Sequence, residues 1–303
     1  MQIPIPTDPL LDMVRTLTLD DAHGARTTED IFTGPSQWMP HGRVFGGQVL
    51  AQCLVAAQRT IDDAEDGLER TPHSLHGYFL RAGDINQPIT FSVDRLRDGR
   101  SFSTRRVQAF QSGQPIFSMI ASFQVHDAGL DHQDEIPVGV PDPESLPSAA
   151  SLIGENPHPI AQYWSKARPF DMRHVGSPIY FAVDPEQRVP HQAVWIRALG
   201  ELPDDPALHR AALAYVSDYT ILESIYRAHG IAWTHPGLKS ASLDHAMWFH
   251  RQPKVDEWML YVQESPSAQG GRGLSLGRIF SRDGVLLATV AQEGMVRVPE
   301  IRS

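Results

Sequence analysis

Residues 46–61 and 211–227 each carry apolar side chains at spacings of three and four, the pattern of a helix with one buried face. In the second segment the stripe runs through Ala211, Ala214, Tyr215, Ile221, Leu222 and Ile225, with Ser217, Thr220, Ser224 and Arg227 on the other side. Asp218 falls on the apolar stripe itself. Desolvating a carboxylate costs several kcal/mol, so a buried acid is rarely found alone. Asp218 therefore needs an arginine partner, a capping role or a chemical task.

Each helix is followed by strand-like runs separated by turn signals. After the first come residues 74–81, 88–96, 102–110 and 116–125, with turns at Asp98-Gly99 and Ser112-Gly113. After the second come 242–251, 258–264, 273–280 and 285–292, with a turn at Asp283-Gly284. The order of helix then meander is thus written twice. Ser74 and Ser242 lie 168 positions apart and Arg81 and Arg251 lie 170 apart, so a two-residue insertion aligns the runs; Gln124 and Gln292 again differ by 168. The pattern predicts an α+β fold of two tandem units, each an antiparallel sheet wrapped around one long helix. The units span residues 1–126 and 170–303, the second carrying Asp218. Between them, residues 127–169 are rich in Pro, Asp, Ser and His and predict a linker over the surface. The first helix has no acid between Gly46 and Ile61, so the charge belongs to one half only.

Composition narrows the function. With 303 residues, 41% hydrophobic and 20% charged, the chain is a globular protein able to bury a large core. A net charge of −10 argues against a general nucleic-acid binder, which needs a basic field. The single cysteine, Cys53, allows no intrachain disulfide and lies on an apolar helix face as a core thiol. No apolar run approaches the ~18 residues of a membrane span, and no basic-then-apolar leader opens the chain, so a cytoplasmic location is expected.

Four local patterns carry candidate chemistry. Gly273-Leu274-Ser275-Leu276-Gly277 spells a nucleophile-elbow motif, but its flanks are strand-like and no histidine follows His250, so a small-residue strand is the better reading. The acids and histidines between His126 and Glu135 lack metal-ligand spacing and read as solvated linker. Arg95, Arg97, Arg100, Arg105 and Arg106 form the densest positive cluster, suited either to phosphate binding through guanidinium forks or to an exposed hairpin. Gly46-Gly47, opening the first helix, would let backbone N–H groups face a carbonyl or phosphate. Asp244, beside His245 on a strand, is a rival acid to Asp218.

Six segments in order resemble the type II acyl-CoA thioesterase family over roughly residues 32–297. They are Arg43-Val44-Phe45-Gly46-Gly47-Gln48, His73-Ser74-Leu75-His76-Gly77-Tyr78-Phe79-Leu80, Leu96-Arg97-Asp98-Gly99-Arg100-Ser101-Phe102, Ser217-Asp218-Tyr219, the run from Leu243 to Arg251, and Gln292-Glu293-Gly294. The resemblance implies a double hotdog fold and hydrolysis of acyl-CoA by direct attack of water. It implies a catalytic set of Asp218, Ser242 and Gln292, with serine standing where bacterial members commonly carry threonine. Gly46, Gly47, Arg97, Arg100, Ser101, Arg105 and Arg106 become candidates for holding the substrate, the arginines at coenzyme A's phosphates and the helix stripe along an acyl tunnel. Coenzyme A would be part of the substrate, with no cofactor and no metal, and the fold suggests a homodimer or homotetramer. Two alternatives remain at this level: a hotdog hydratase or dehydratase acting on acyl thioesters, and a non-catalytic acyl-CoA-binding module. The polar set Asp218, Ser242 and Gln292 favours hydrolysis over both.

Overall fold

The computed structural model describes residues 6–21, 29–62 and 67–299. The first half contains α1 (Pro9–Thr16), β1 (Asp20–Asp21), β2 (Asp30–Gly34), α2 (Gly46–Asp62), β3 (Arg70–Phe79), β4 (Ile89–Asp98), β5 (Phe102–Gln111) and β6 (Gln114–Val125). Two short helices, α3 (Ala149–Ile153) and α4 (Pro159–Lys166), lie in the connection. The second half contains β7 (Phe170–Val175), β8 (His191–Ala198), α5 (Pro206–Ser217), α6 (Glu223–Ala228) and β9 (Lys239–Ser242). It closes with β10 (Asp244–Phe249), β11 (Met259–Gln269), β12 (Arg272–Ser281) and β13 (Leu286–Arg297).

The two halves share one antiparallel sheet in the order β1-β2-β4-β5-β6-β3-β10-β13-β12-β11-β8-β7, with β9 added against β13. The order reads the same from both ends, and the halves meet where β3 pairs with β10, Ala246 opposite His76. This is the double hotdog arrangement, with α2 and α5 packed against each other inside the sheet.

Matched contacts fix the internal alignment. The register of β3 on β6 slips between Pro72 and Ser74, and the pairing with β13 passes from β9 to β10 after Ser242. His76 pairs with Ile120 as Ala246 pairs with Ala291. On the helices, Thr60 receives a hydrogen bond from Arg105 where Ser224 meets Ser275. The counterpart of Ser242 is therefore Pro72, not Ser74, and that of Gln292 is Ala121, not Gln124. The structural alignment thus departs from the spacing of 168 by two residues in β3 and by three in β6, which spacing alone does not reveal.

Helix α2 matches its sequence-predicted span within one residue. Leu50, Cys53, Leu54 and Ala57 are buried in the core. Gln48 and Gln52 are also enclosed, and their side-chain amides donate to the Pro35 carbonyl. The second helix differs from its prediction. It begins at Pro206, where Asp205 caps the Ala207 N–H and proline suits the first turn, and it ends at Ser217. The chain then turns, with the Tyr219 and Glu223 N–H groups bonding the Val216 and Thr220 carbonyls, before restarting as α6. Asp218 caps α5 rather than sitting mid-helix.

The polar side of this segment is not solvated either. Ser217, Thr220, Ser224 and Arg227 are all buried, each bonded to a polar side chain: His245, Gln263, Ser275 and Gln192 respectively. The apolar side presses onto the sheet at glycines: a Cβ at Gly273, Gly277 or Gly294 would lie within 3.1 Å of Ile225, Ile221 or Leu222. At these three positions the stripe is used in packing against the sheet, whereas Ala211 borders a cavity of about 270 Å³.

The connection is more ordered than a linker. Ala161, Tyr163 and Trp164 of α4 are buried, Asp131 pairs with Arg251, and Asp134 pairs with Arg278. Among the described residues no group of three or more His, Cys, Asp or Glu side chains could hold a metal ion, and no helix is long and apolar enough to cross a membrane.

Candidate active site

Three elements distant in sequence meet at Asp218. The turn after α5 supplies the carboxylate, the end of β9 supplies Ser242, and β13 supplies Gln292. Ser242 Oγ donates to Asp218 Oδ1 at 3.1 Å, and Gln292 Nε2 donates to the same oxygen at 2.9 Å. Gln292 Nε2 also reaches Ser242 Oγ at 2.8 Å, closing a triangle. The other carboxylate oxygen, Oδ2, accepts the Gly47 N–H at 2.9 Å from the first turn of α2. Asp218 has no arginine partner among the described residues; its donors are a hydroxyl, a side-chain amide and a backbone amide.

Two glycines make this approach possible. A Cβ on Gly47 would lie 2.2 Å from the Tyr215 carbonyl oxygen, and one on Gly46 would lie 2.6 Å from Asp218 Oδ2. Both contacts are far inside van der Waals range, so the first turn of α2 can touch the end of α5 only without side chains. The helix N-terminus then places its partial positive charge at the carboxylate. Phe45 stacks on Tyr219 with ring centroids 4.6 Å apart, giving the site an aromatic wall.

Burial raises the Asp218 pKa to about 6, against the three hydrogen bonds that lower it. Desolvation wins because the surroundings are largely apolar and no cation offsets it. A carboxylate of that pKa is chemically able to take up a proton at neutral pH. Asp244 has the simpler role: its Oδ1 accepts the Glu293 N–H at 2.6 Å, so it is a strand acid tied to a neighbouring strand.

Residues 173–295 match the family profile described as acyl-CoA thioesterase, and residues 34–124 match that of the acyl-CoA thioesterase N-terminal domain. The chain belongs to the acyl-CoA thioesterase family. Acyl-coenzyme A thioesterase 8 of Homo sapiens is 40% identical over 283 residues, covering 89% of this chain and 85% of the human protein. Acyl-CoA thioesterase 2 of Haemophilus influenzae is 38% identical over 278 residues, with 89% and 93% covered. The solved tesB protein of Mycobacterium avium subs paratuberculosis superposes with a TM-score of 0.75 at 34% identity, over 95% of this chain and 100% of that one.

The arginine cluster of this thioesterase family member is not one site. Arg105 is fully buried, donating to Thr60 Oγ1 at 2.8 Å, to the Arg97 carbonyl at 3.2 Å and to Asp98 at 2.7 Å. It braces the β4–β5 hairpin against α2 and cannot reach a coenzyme A phosphate. Arg106 pairs with Asp94, and Arg95 with Asp30. Arg97, Arg100 and Ser101 stay exposed at the hairpin tip. That tip adjoins the Thr60 end of α2, about 20 Å along the helix from Gly47 at 1.5 Å per residue. The cluster therefore does not join Asp218, Ser242 and Gln292.

Other sequence motifs also resolve. Ser275 is buried on β12 facing Ser224, so the Gly273–Gly277 pattern is a packed strand and not a nucleophile elbow. Burial pushes the Cys53 thiol pKa well up, as suits a core residue. Sequence reasoning missed Ser217 and His245, which lie directly behind the site: Ser217 Oγ is 2.9 Å from His245 Nε2, and His245 Nδ1 bonds Gln292 Oε1.

Proposed function

We propose that this protein hydrolyses fatty acyl-CoA to the free fatty acid and coenzyme A, in the cytoplasm, with Asp218 activating a water that attacks the thioester carbonyl directly. Asp218 takes a proton from the water as its oxygen bonds to the carbonyl carbon. Ser242 and Gln292 hold the carboxylate and orient the water. The positive end of the α2 dipole stabilises the oxygen that becomes negative in the tetrahedral intermediate. Collapse of that intermediate breaks the carbon–sulfur bond, and Asp218 returns its proton to the departing thiolate. No covalent acyl-enzyme is formed.

The observation that carries this reading is the convergence of one carboxylate of pKa about 6 with a hydroxyl and an amide at 3.1 Å and 2.9 Å. The proposal includes a homodimer or homotetramer, in which a second copy covers exposed apolar side chains such as Tyr78 and Ile120 on the central strands. The test of the chemistry is release of free thiol from palmitoyl-CoA and from a short-chain acyl-CoA. Asp218→Asn should lower kcat by about 10²–10⁴-fold, the range typical of a lost general base. Wild-type rates in that variant would remove Asp218 from the mechanism.

A further inference from the structure

The amide of Gln292 has two possible orientations, and only one suits a carboxylate base. With Nε2 toward Asp218, it donates to Oδ1 at 2.9 Å and to Ser242 at 2.8 Å. Turned over, it would set its carbonyl oxygen against the Asp218 carboxylate, acceptor against acceptor. The ionised Asp218 favours the first orientation, but Ser242, which can accept or donate, adds no preference of its own.

The group behind the amide is His245, fully buried on β10. Burial lowers its pKa to about 4, so the ring is neutral at pH 7 and carries one N–H. Nδ1 bonds Gln292 Oε1, an oxygen that can only accept, so the proton sits on Nδ1. Nε2 is then bare and needs a donor. Ser217 Oγ stands 2.9 Å from it and donates to the Ala214 carbonyl at 2.8 Å, so its one proton is shared between the carbonyl and the imidazole. The result is a directed chain from the Ser217 hydroxyl through His245 to Gln292, and on to Asp218 and Ser242.

We infer that His245, braced from behind by Ser217, is a positioning residue that locks the Gln292 amide with its N–H groups toward Asp218. The inference rests on the proposed hydrolytic role of Asp218, Ser242 and Gln292. The first half supports it by contrast: the counterparts of Ser217, His245 and Gln292 are Cys53, Leu75 and Ala121, all fully buried. The whole chain of donors is present where the acid is present, and absent where it is not.

The test is a double-mutant cycle on kcat and KM for palmitoyl-CoA, with folding checked by thermal unfolding of each variant. His245→Leu should lower kcat by about 10–100-fold, the usual cost of losing a hydrogen bond that orients a working group, with KM changed less than about threefold. In a Gln292→Ala background the same change should cost no further kcat, because no amide remains to be oriented. His245→Asn, which sets an amide N–H near the place of Nδ1, should recover to within about fivefold of wild type. Ser217→Ala, a milder change, should lower kcat in the wild-type background and not in Gln292→Ala. An equal loss from His245→Leu in both backgrounds, or an Asn variant as impaired as the Leu one, would overturn the inference while leaving the site reading intact. A Gln292→Ala enzyme with unimpaired kcat would overturn the site reading and this inference with it.

Discussion

The two halves of the sheet hold the same five positions with opposite chemistry. Where the second half carries Ser217, Asp218, Ser242, His245 and Gln292, the first carries Cys53, Leu54, Pro72, Leu75 and Ala121. Of the first set, Cys53, Leu75 and Ala121 are fully buried; Leu54 and Pro72 border a cavity of about 270 Å³ at the start of α5, the place corresponding to Asp218 beside the start of α2. The fold therefore does not need polar groups at these positions, since one copy dispenses with them. In the other copy each satisfies its neighbour, and together they surround a carboxyl of pKa about 6.

That comparison can be broken by making one half resemble the other. Leu75→His places an imidazole where Cys53 and Ala121 offer no good partner. It should destabilise the protein by about 2–4 kcal/mol in chemical denaturation and add no activity, because buried polar atoms go unsatisfied. A change below about 0.5 kcal/mol would mean the first half is as receptive to polar groups as the second.

A smaller effect separates the helix starts. Gly47→Ala drives a methyl into the Tyr215 carbonyl and should cost about 1–3 kcal/mol of stability, with a parallel fall in kcat as Asp218 loses its amide donor. At the corresponding place in α5, Ala211→Gly should cost about 1 kcal/mol and leave kcat alone. Equal costs at the two positions would show that the close approach is not special to the active end.

Smallest is a stability change with pH. The Asp218 carboxyl is raised from 3.8 to about 6, so between those values the folded chain keeps a proton that the unfolded chain has lost. Its contribution to stability is most favourable at low pH and is lost as pH rises through 6, leaving the fold short by up to ~2–3 kcal/mol at neutral pH. Asp218→Asn should recover part of this, about 1–2 kcal/mol at pH 8, with the advantage shrinking toward pH 4. Thermal melts across that range would show it; an advantage independent of pH would sever the link between stability and the raised carboxyl.

Much of this was legible in the sequence, and the misses have physical causes. Helix α2 was readable because its apolar pattern runs without interruption from the glycine pair. The break after Ser217 was not, since the stripe continues through Ile221 and Leu222 as though the helix did. Its start was readable in principle from Asp205-Pro206, a cap followed by a first-turn proline. Asp218, Ser242 and Gln292 were found because one acid stood on an apolar stripe and the segments around it resembled a family. Ser217 was placed only on the side of the helix away from the apolar stripe; its partner His245 lies across the fold on β10, which local spacing cannot convey. Arg105 shares its strand face with Val107 and Ala109, so the period of two was the neglected sign that it points inward while Arg106 points out.

The central claim is that one carboxylate, in one half, is the base. The pH dependence of kcat/KM for palmitoyl-CoA hydrolysis addresses it directly. The account predicts a rate that rises about tenfold per pH unit below 6 and levels off above it, following the Asp218 carboxyl at about 6, with that limb missing from the residual activity of Asp218→Asn. A profile that is flat from pH 5 to about 8, or one whose limb survives unchanged in the Asn variant, would contradict it.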